Sequence, residues 1–330
     1  MLPTALPAPK RLSYAFMAGG LVLVGWLNLT VLLITGLFGY FVLERFTLRG
    51  RKWVGVGLFV LLIAAAGYGF VAFARAAATT VPKIAEESIP RILAFADSRG
   101  LQLPAGYDYE ALKTDAVEFV QSKLASVGKY AGEMLRGLVL FLVGLVVAAS
   151  LFLHTRVEPE ADPVTGRDNL YNQTFLEVVA RFRLFYQSFT AVMGAQILIS
   201  TINASITAVF LFWNGFPYAA VLAGLTFLLG LLPIVGNLLS NTLIVSVGFT
   251  ISPKMAFLAL AFLVIIHKGE YFLNSKIIGD RIKNPMWLML LGLIIGEKLM
   301  GIPGMILAPA VLHYVKAEAS RNRVAAAVST

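Results

Sequence analysis

The sequence predicts an all-α, polytopic membrane protein with two inverted helix-plus-re-entrant-hairpin repeats and an extramembrane helical arm. Three observations predict it. The 330 residues are 58% hydrophobic and only 14% charged, with a mean hydropathy of +0.80. A soluble domain of this length could not hide so much apolar surface. Near the C-terminus, two apolar stretches, Pro217–Phe249 and Pro285–Tyr314, are each broken midway by Pro and Gly. Finally, the Lys and Arg residues give these two stretches opposite sides of entry into the bilayer.

Composition also excludes several chemistries. The chain has no cysteine, which rules out disulfides, thiol catalysis and Cys-based metal sites. His154, His267 and His313 stand at unrelated spacings outside any HExxH, so no zinc site is expected and no cofactor is indicated. A net charge of +9 reads as Lys/Arg excess on the cytoplasmic side of a membrane protein, not as a nucleic-acid surface. No Walker, GxGxxG or GxSxG pattern stands between a strand and a helix, so neither an ATP motor nor an enzyme is expected.

Residues 1–52 read as an N-terminal membrane hairpin with basic flanks. The apolar run Ala15–Leu43 is too long for a signal peptide and, as one straight helix, would reach about 43 Å. Lys10 and Arg11 precede it and Arg45, Arg49, Arg51 and Lys52 follow it, so both ends belong on the cytoplasmic side. A bent pair of short helices turning near Asn28 fits this better than a single span.

Residues 53–153 hold two spans, Trp53–Ala78 and Glu133–Leu153, around an external helical arm at about 79–132. The arm carries six basic and seven acidic residues, and its apolar positions Leu112, Val117, Val120 and Leu124 recur at roughly helical spacing. Packing or oligomer contact is its expected role, with solute capture as the alternative. Residues 154–189 form a polar cytoplasmic loop and an interfacial amphipathic helix, with Phe175, Val178, Phe182 and Phe185 opposed to Glu177, Arg181 and Arg183.

Residues 190–250 make the first repeat, a span plus a hairpin. In the span Thr190–Trp213, Gln196, Ser200, Asn203 and Thr207 recur at i, i+4, i+7 and i+11 and so share one helix face. Amides in hydrocarbon need partners, so this stripe is either helix–helix glue or the lining of a polar pathway. The hairpin opens at Pro217 and breaks at Pro233-Ile-Val-Gly236, and its tip region adds Asn237, Ser240, Asn241 and Thr242. Each 16-residue opening run, Pro217–Leu232 or Pro285–Met300, is about 24 Å long, short of a hydrocarbon core of roughly 30 Å.

Residues 251–316 make the second repeat. Its helix, about Lys254–Ile278, ends in His267-Lys-Gly-Glu270-Tyr-Phe-Leu-Asn274. Glu270 is either paired with Lys268 or Lys276 near the interface or buried as a functional group. The second hairpin breaks at Gly301-Ile-Pro303-Gly304, just after Glu297 and Lys298, which read as a local ion pair or as a gate or proton carrier. Residues 317–330 form a cytoplasmic tail. With the Lys/Arg-rich ends inside, cytoplasmic segments hold 16 of the 27 basic residues. Hairpin 217–249 then enters from outside and hairpin 285–314 from inside, an inverted repeat offset by 68 residues at its opening prolines. Such a pair presents a midplane site to either side.

Three passages carry a resemblance. They are Leu231-Leu-Pro-Ile-Val-Gly236 within Pro217–Leu239, Gly269-Glu-Tyr-Phe-Leu-Asn-Ser-Lys-Ile-Ile-Gly279 with Asn284-Pro285, and Leu293-Ile-Ile-Gly296 through Pro309. Together they resemble the autoinducer-2 exporter family, strongly over 190–316 and loosely over 15–153. Ser275 stands where relatives often carry Pro. The resemblance implies a multi-pass inner-membrane carrier without ATPase machinery, homo-oligomeric, with both termini cytoplasmic. It leaves open export of an autoinducer-2-like signal or sodium/proton exchange. A small polar solute is the expected cargo, with protons or sodium as possible partners. The candidate pathway residues are Gln196, Asn203, Asn237, Asn241, Glu270, Asn274 and Glu297, and the hairpin tips are Pro233, Gly236, Gly301, Pro303 and Gly304. A cation/proton antiporter and a non-transporting membrane scaffold are the alternatives.

Overall fold

The computed structural model describes residues 7–46, 52–100, 114, 118, 131–154, 169–278 and 285–321; the side chains of 131–134, 271–278 and 286 fall outside that description. The described residues form helices and no strand: α1 Ala8–Trp26, α2 Thr30–Arg45, α3 Lys52–Ser98, α4 Ala131–Leu153, α5 Leu170–Trp213, α6 Ala219–Gly230, α7 Val235–Ile251, α8 Pro253–Ile278 and α9 Met286–Arg321. Among them α3, α4, α5 and α9 are long and apolar enough to cross a membrane, and α1 and α2 form a pair bent by 118°. The molecule is an all-helical membrane protein.

The bend between α1 and α2 lies at Asn28, whose φ of 54° is left-handed. Asn tolerates that region better than most residues because its short side chain can bond locally. Two other boundaries drawn from charge fall inside continuous helices. α3 runs 47 residues, about 70 Å, through the expected junction at 78 and 79, with Pro82 and Pro90 inside it. α5 runs 44 residues through the junction at 189 and 190. The stretch 170–213 contains no proline and only Gly194, so nothing local stops the helix there. The rest of the arm apart from Thr114 and Glu118, the loop 155–168, residues 279–284 and the tail 322–330 lie outside the described residues.

The helices gather into two compact units. One comprises Met1–Val60, Gly137–Gly194 and Ile278–Thr330; the other comprises Leu61–Arg136 and Ala195–Ile277. The two broken stretches fall in different units.

In the first unit, α9 is a hairpin turned at one residue, Gly301, with φ 64° and ψ −154°. Only glycine adopts such a backbone without strain. Pro303 and Gly304 lie in the returning limb. The limbs touch through small residues: a Cβ on Gly296 would lie 2.5 Å from the Gly304 carbonyl oxygen, and one on Gly292 would lie 2.8 Å from Leu312. Where lipid is as apolar as leucine, close backbone approach of this kind drives helix pairing. The bent α1–α2 pair packs on α9, and Gly25 meets Leu299 and Met300 beside the turn. Leu37, Phe185, Phe189, Leu307 and Tyr314 form the core.

In the second unit, α6 and α7 make the other hairpin. Its core is Ile84, Leu211, Phe216, Leu222, Ile244, Val247 and Leu263. The first part of the predicted arm belongs to this core and grips the hairpin's open end. Ile84 is buried, Tyr218 donates to Glu87 at 3.0 Å, and the Arg91 guanidinium bonds the Thr250 carbonyl. Phe95 packs edge-on against Phe257. The packing role expected for the arm thus falls, for residues 79–98, on the hairpin of its own chain.

Candidate functional site: a polar cavity beside the first hairpin tip

The first tip requires a tight break, and the sequence makes one from Leu231 to Ile234. Val235 N–H bonds the Pro233 carbonyl at 2.7 Å across Ile234, whose φ of 65° and ψ of −61° define a γ-turn of the rare, strained hand. A β-branched residue at positive φ is costly, and such strain persists only where the surroundings impose it. Gly236 permits the turn, since a Cβ there would overlap the Leu229 carbonyl.

A helix end leaves four carbonyls without intrahelical partners, and apolar surroundings offer none. All four at the end of α6 are satisfied. Leu228 and Leu229 accept from the N–H groups of Leu231 and Leu232. Phe227 accepts from Ser200 Oγ at 2.6 Å, and Gly230 accepts from Gln196 Nε2 at 2.5 Å. The upper half of the α5 polar stripe is therefore a cap for α6. Gln196, expected among the pathway residues, has its amide nitrogen committed to that cap.

The lower half of the stripe faces a cavity. Asn203 and Thr207 of α5, Thr226 of α6, Asn237, Ser240 and Asn241 of α7, and Leu263, Ile266, His267 and Glu270 of α8 line it. Its volume is about 10 Å³, close to the least that holds one water. The Glu270 side chain is 12% exposed. Asn237 Nδ2 donates to Glu270 Oε2 at 2.8 Å, and His267 Nδ1 lies 3.7 Å from the same oxygen. The hairpin tip is thus tied to α8 through one amide and one carboxylate.

The hydroxyls divide into two kinds. Thr226 bonds back to the Leu222 carbonyl and Ser240 to the Asn237 carbonyl, so both are occupied. On the opposite face of α5, Thr201 and Ser205 also bond back one turn. Thr207 does not: its Oγ is buried with no hydrogen-bond partner. A helical threonine normally satisfies itself this way, so Thr207 is the exception among the hydroxyls that line the cavity.

Of the expected pathway residues, Asn203, Asn237, Asn241 and Glu270 come together here. Asn274 is in α8, one turn beyond Glu270, but its side chain lies outside the described residues. Glu297 belongs to the other unit, where it is exposed and 3.5 Å from Lys298, and it is not among the residues that line this cavity. Among the described residues no group of three or more His, Cys, Asp and Glu side chains is placed to hold a metal ion. The arrangement offers neutral donors and acceptors and one carboxylate, a set that can bind hydroxyl groups, a proton or a single cation.

Comparison with known proteins now decides the lineage. The pattern of the AI-2E family transporter family matches residues 12–320. The chain belongs to that family. It is also similar to a Bacillus subtilis (strain 168) protein named "Putative transport protein YdbI", with 30% identity over 138 residues, 41% of this chain and 39% of that protein. The matched region thus spans about two fifths of that relative's length. The family match covers the loosely resembling N-terminal half as well as the two hairpins.

Proposed function

We propose that this chain is a multi-pass membrane transporter, a secondary carrier or facilitator for a small polar solute, with its site in the cavity beside the first hairpin tip. Membership of a transporter family and the name of the Bacillus relative support transport in general. One observation carries the site: the Asn237–Glu270 bond lies in the lining of a cavity that the unpartnered Thr207 also lines, in a chain that is 58% hydrophobic. Polar and ionisable groups are expensive inside a membrane and mark substrate or ion pathways.

At about 10 Å³ the cavity is too small for a solute, so loading requires it to widen, and release of the Asn237–Glu270 bond is the step we propose for that. A hydroxylated solute of the autoinducer-2 kind would replace that bond with bonds to Asn203, Asn237, Asn241 and Glu270. Alternating access would arise from the two hairpins as an inverted pair, one entering from each side of an inner membrane, with both termini in the cytoplasm. Homo-oligomer formation goes with this reading of the family.

The cavity's size favours a second reading. A proton or bare cation fits it without widening, with the Glu270 carboxylate as the charged partner and the Asn203 and Thr207 oxygens as neutral ligands. Flux measurements in proteoliposomes, using a panel of polar solutes with and without sodium and proton gradients, separate the two. Solute flux lost in Asn237→Ala and indifferent to sodium supports the carrier. Sodium-dependent proton flux lost in Glu270→Gln supports exchange. Wild-type flux in both variants removes the site from either account.

A further inference from the structure

The first unit contains a second cavity, far larger and of different chemistry. Its volume is about 240 Å³, and it lies between α2, α4 and the N-terminal half of α5. Leu33, Leu37, Leu151 and Phe182 contribute to its mostly apolar walls, while His154 and Arg183 bring basic groups to the same space. Drug-sized solute pockets run to roughly 300–1,000 Å³, so the room suits a chain segment more than a whole solute.

The polar groups around it are unevenly committed. Tyr186 donates to Glu44 at 2.7 Å and stacks edge-on with Tyr40, so the Glu44 carboxylate is already engaged. His154 bonds the Ser150 carbonyl through Nδ1 at 3.0 Å, which leaves Nε2 for another partner. Arg183 is exposed, and no carboxylate pairs with it among the described residues. The neighbouring helix ends add further positive charge. Arg45 closes α2, and Lys52 opens α3 with its ammonium on the Phe152 and Leu153 carbonyls.

An apolar slot between membrane helices, with an uncommitted guanidinium and an imidazole among its lining groups, matches an amphiphile with an anionic head. We infer that this cavity is a binding site for an anionic phospholipid. One acyl chain lies along Leu33, Leu37 and Leu151, and the phosphate meets Arg183 and His154. Basic pockets between membrane helices hold anionic headgroups by this means, and each cation near a membrane surface contributes about 1 kcal/mol, a factor of about five in affinity. A neutral phospholipid offers the same chain without the charge, and free phosphate the charge without the chain. Neither fits both halves of the slot.

The test counts lipids retained by the purified full-length protein in detergent, by native mass spectrometry, after titration with phosphatidylglycerol or phosphatidylcholine of identical chains. Phosphatidylglycerol retained in clear preference is expected, with Arg183→Gln lowering that preference about fivefold. Val147→Trp, which narrows the exposed wall, is expected to lower retention while leaving Arg183 in place. Inorganic phosphate should fail to compete at millimolar concentration. Equal retention of the two lipids, or a preference unchanged in Arg183→Gln, overturns the inference. Displacement of the lipid by inorganic phosphate also overturns it, because the site would then be one for phosphate alone. Arg183 is exposed, so its replacement leaves the packing intact.

Discussion

The two broken stretches carry the same signature, a Pro-opened apolar run, a Pro/Gly break and a returning run, yet they fold in different ways. The first turns over four residues, through a strained γ-turn at Ile234, and its frayed carbonyls are completed by Gln196 and Ser200 from another helix. The second turns on Gly301 alone, and its limbs hold each other through Gly292, Gly296 and Gly304. Polar chemistry follows the same division. Near the first tip a nearly buried Glu270 accepts from Asn237, whereas Glu297 near the second pairs with Lys298 in the open. A break that needs outside partners gathers polar side chains around it and so creates a place where a solute can compete for them. A self-contained break does not.

Four substitutions sharpen this contrast, taken here from the largest expected effect to the smallest. Gly304→Leu should disrupt the second hairpin, since even a Cβ there overlaps the Gly296 carbonyl and comes within 2.6 Å of Met300 Cβ. A loss on the order of 3 kcal/mol or more in unfolding by sodium dodecyl sulfate is expected, well above an ordinary core overpacking. Gln196→Leu strands the Gly230 carbonyl and should cost about 1–3 kcal/mol in the same titration, with no comparable position in the second hairpin. Ile234→Gly removes the positive-φ strain and should raise stability by roughly 1 kcal/mol, visible as a higher midpoint of thermal unfolding in detergent. Glu297→Gln breaks only an exposed pair and should stay within about 1 kcal/mol of the parent.

Much of this was legible in the sequence, and the limits have physical causes. Pro and Gly act on the backbone next to them, so breaks at Pro233–Gly236 and Gly301–Gly304 and the turn near Asn28 could be read locally; the structure turns at Leu231–Ile234, with Val235 and Gly236 already helical, and at Gly301 alone. The i, i+4, i+7, i+11 stripe fixes one face of α5, which put Gln196, Ser200, Asn203 and Thr207 together. Periodicity cannot say what a face touches. It did not reveal that Gln196 and Ser200 would cap α6 while Asn203 and Thr207 lined the cavity. Nor could residue type single out Thr207, because only geometry shows that its hydroxyl lacks the usual bond to its own helix. The boundaries at 78 and 189 were drawn where charge density changes. Helices stop at breakers and caps, not at interfaces, so α3 and α5 continue through both points.

The central claim is that the first tip, with Glu270, is where cargo is bound, and that Glu297 plays no part in binding. The most direct measurement is transport in proteoliposomes by Glu270→Gln and Glu297→Gln, compared with the parent at equal reconstituted amounts. Gln can still accept from Asn237, so the first variant should keep its fold. A charged hydrogen-bond acceptor is worth about 1.5–3 kcal/mol, so its transport should fall by tenfold or more while Glu297→Gln matches the parent. Undiminished transport by Glu270→Gln, or an equal loss in both variants, would contradict the account.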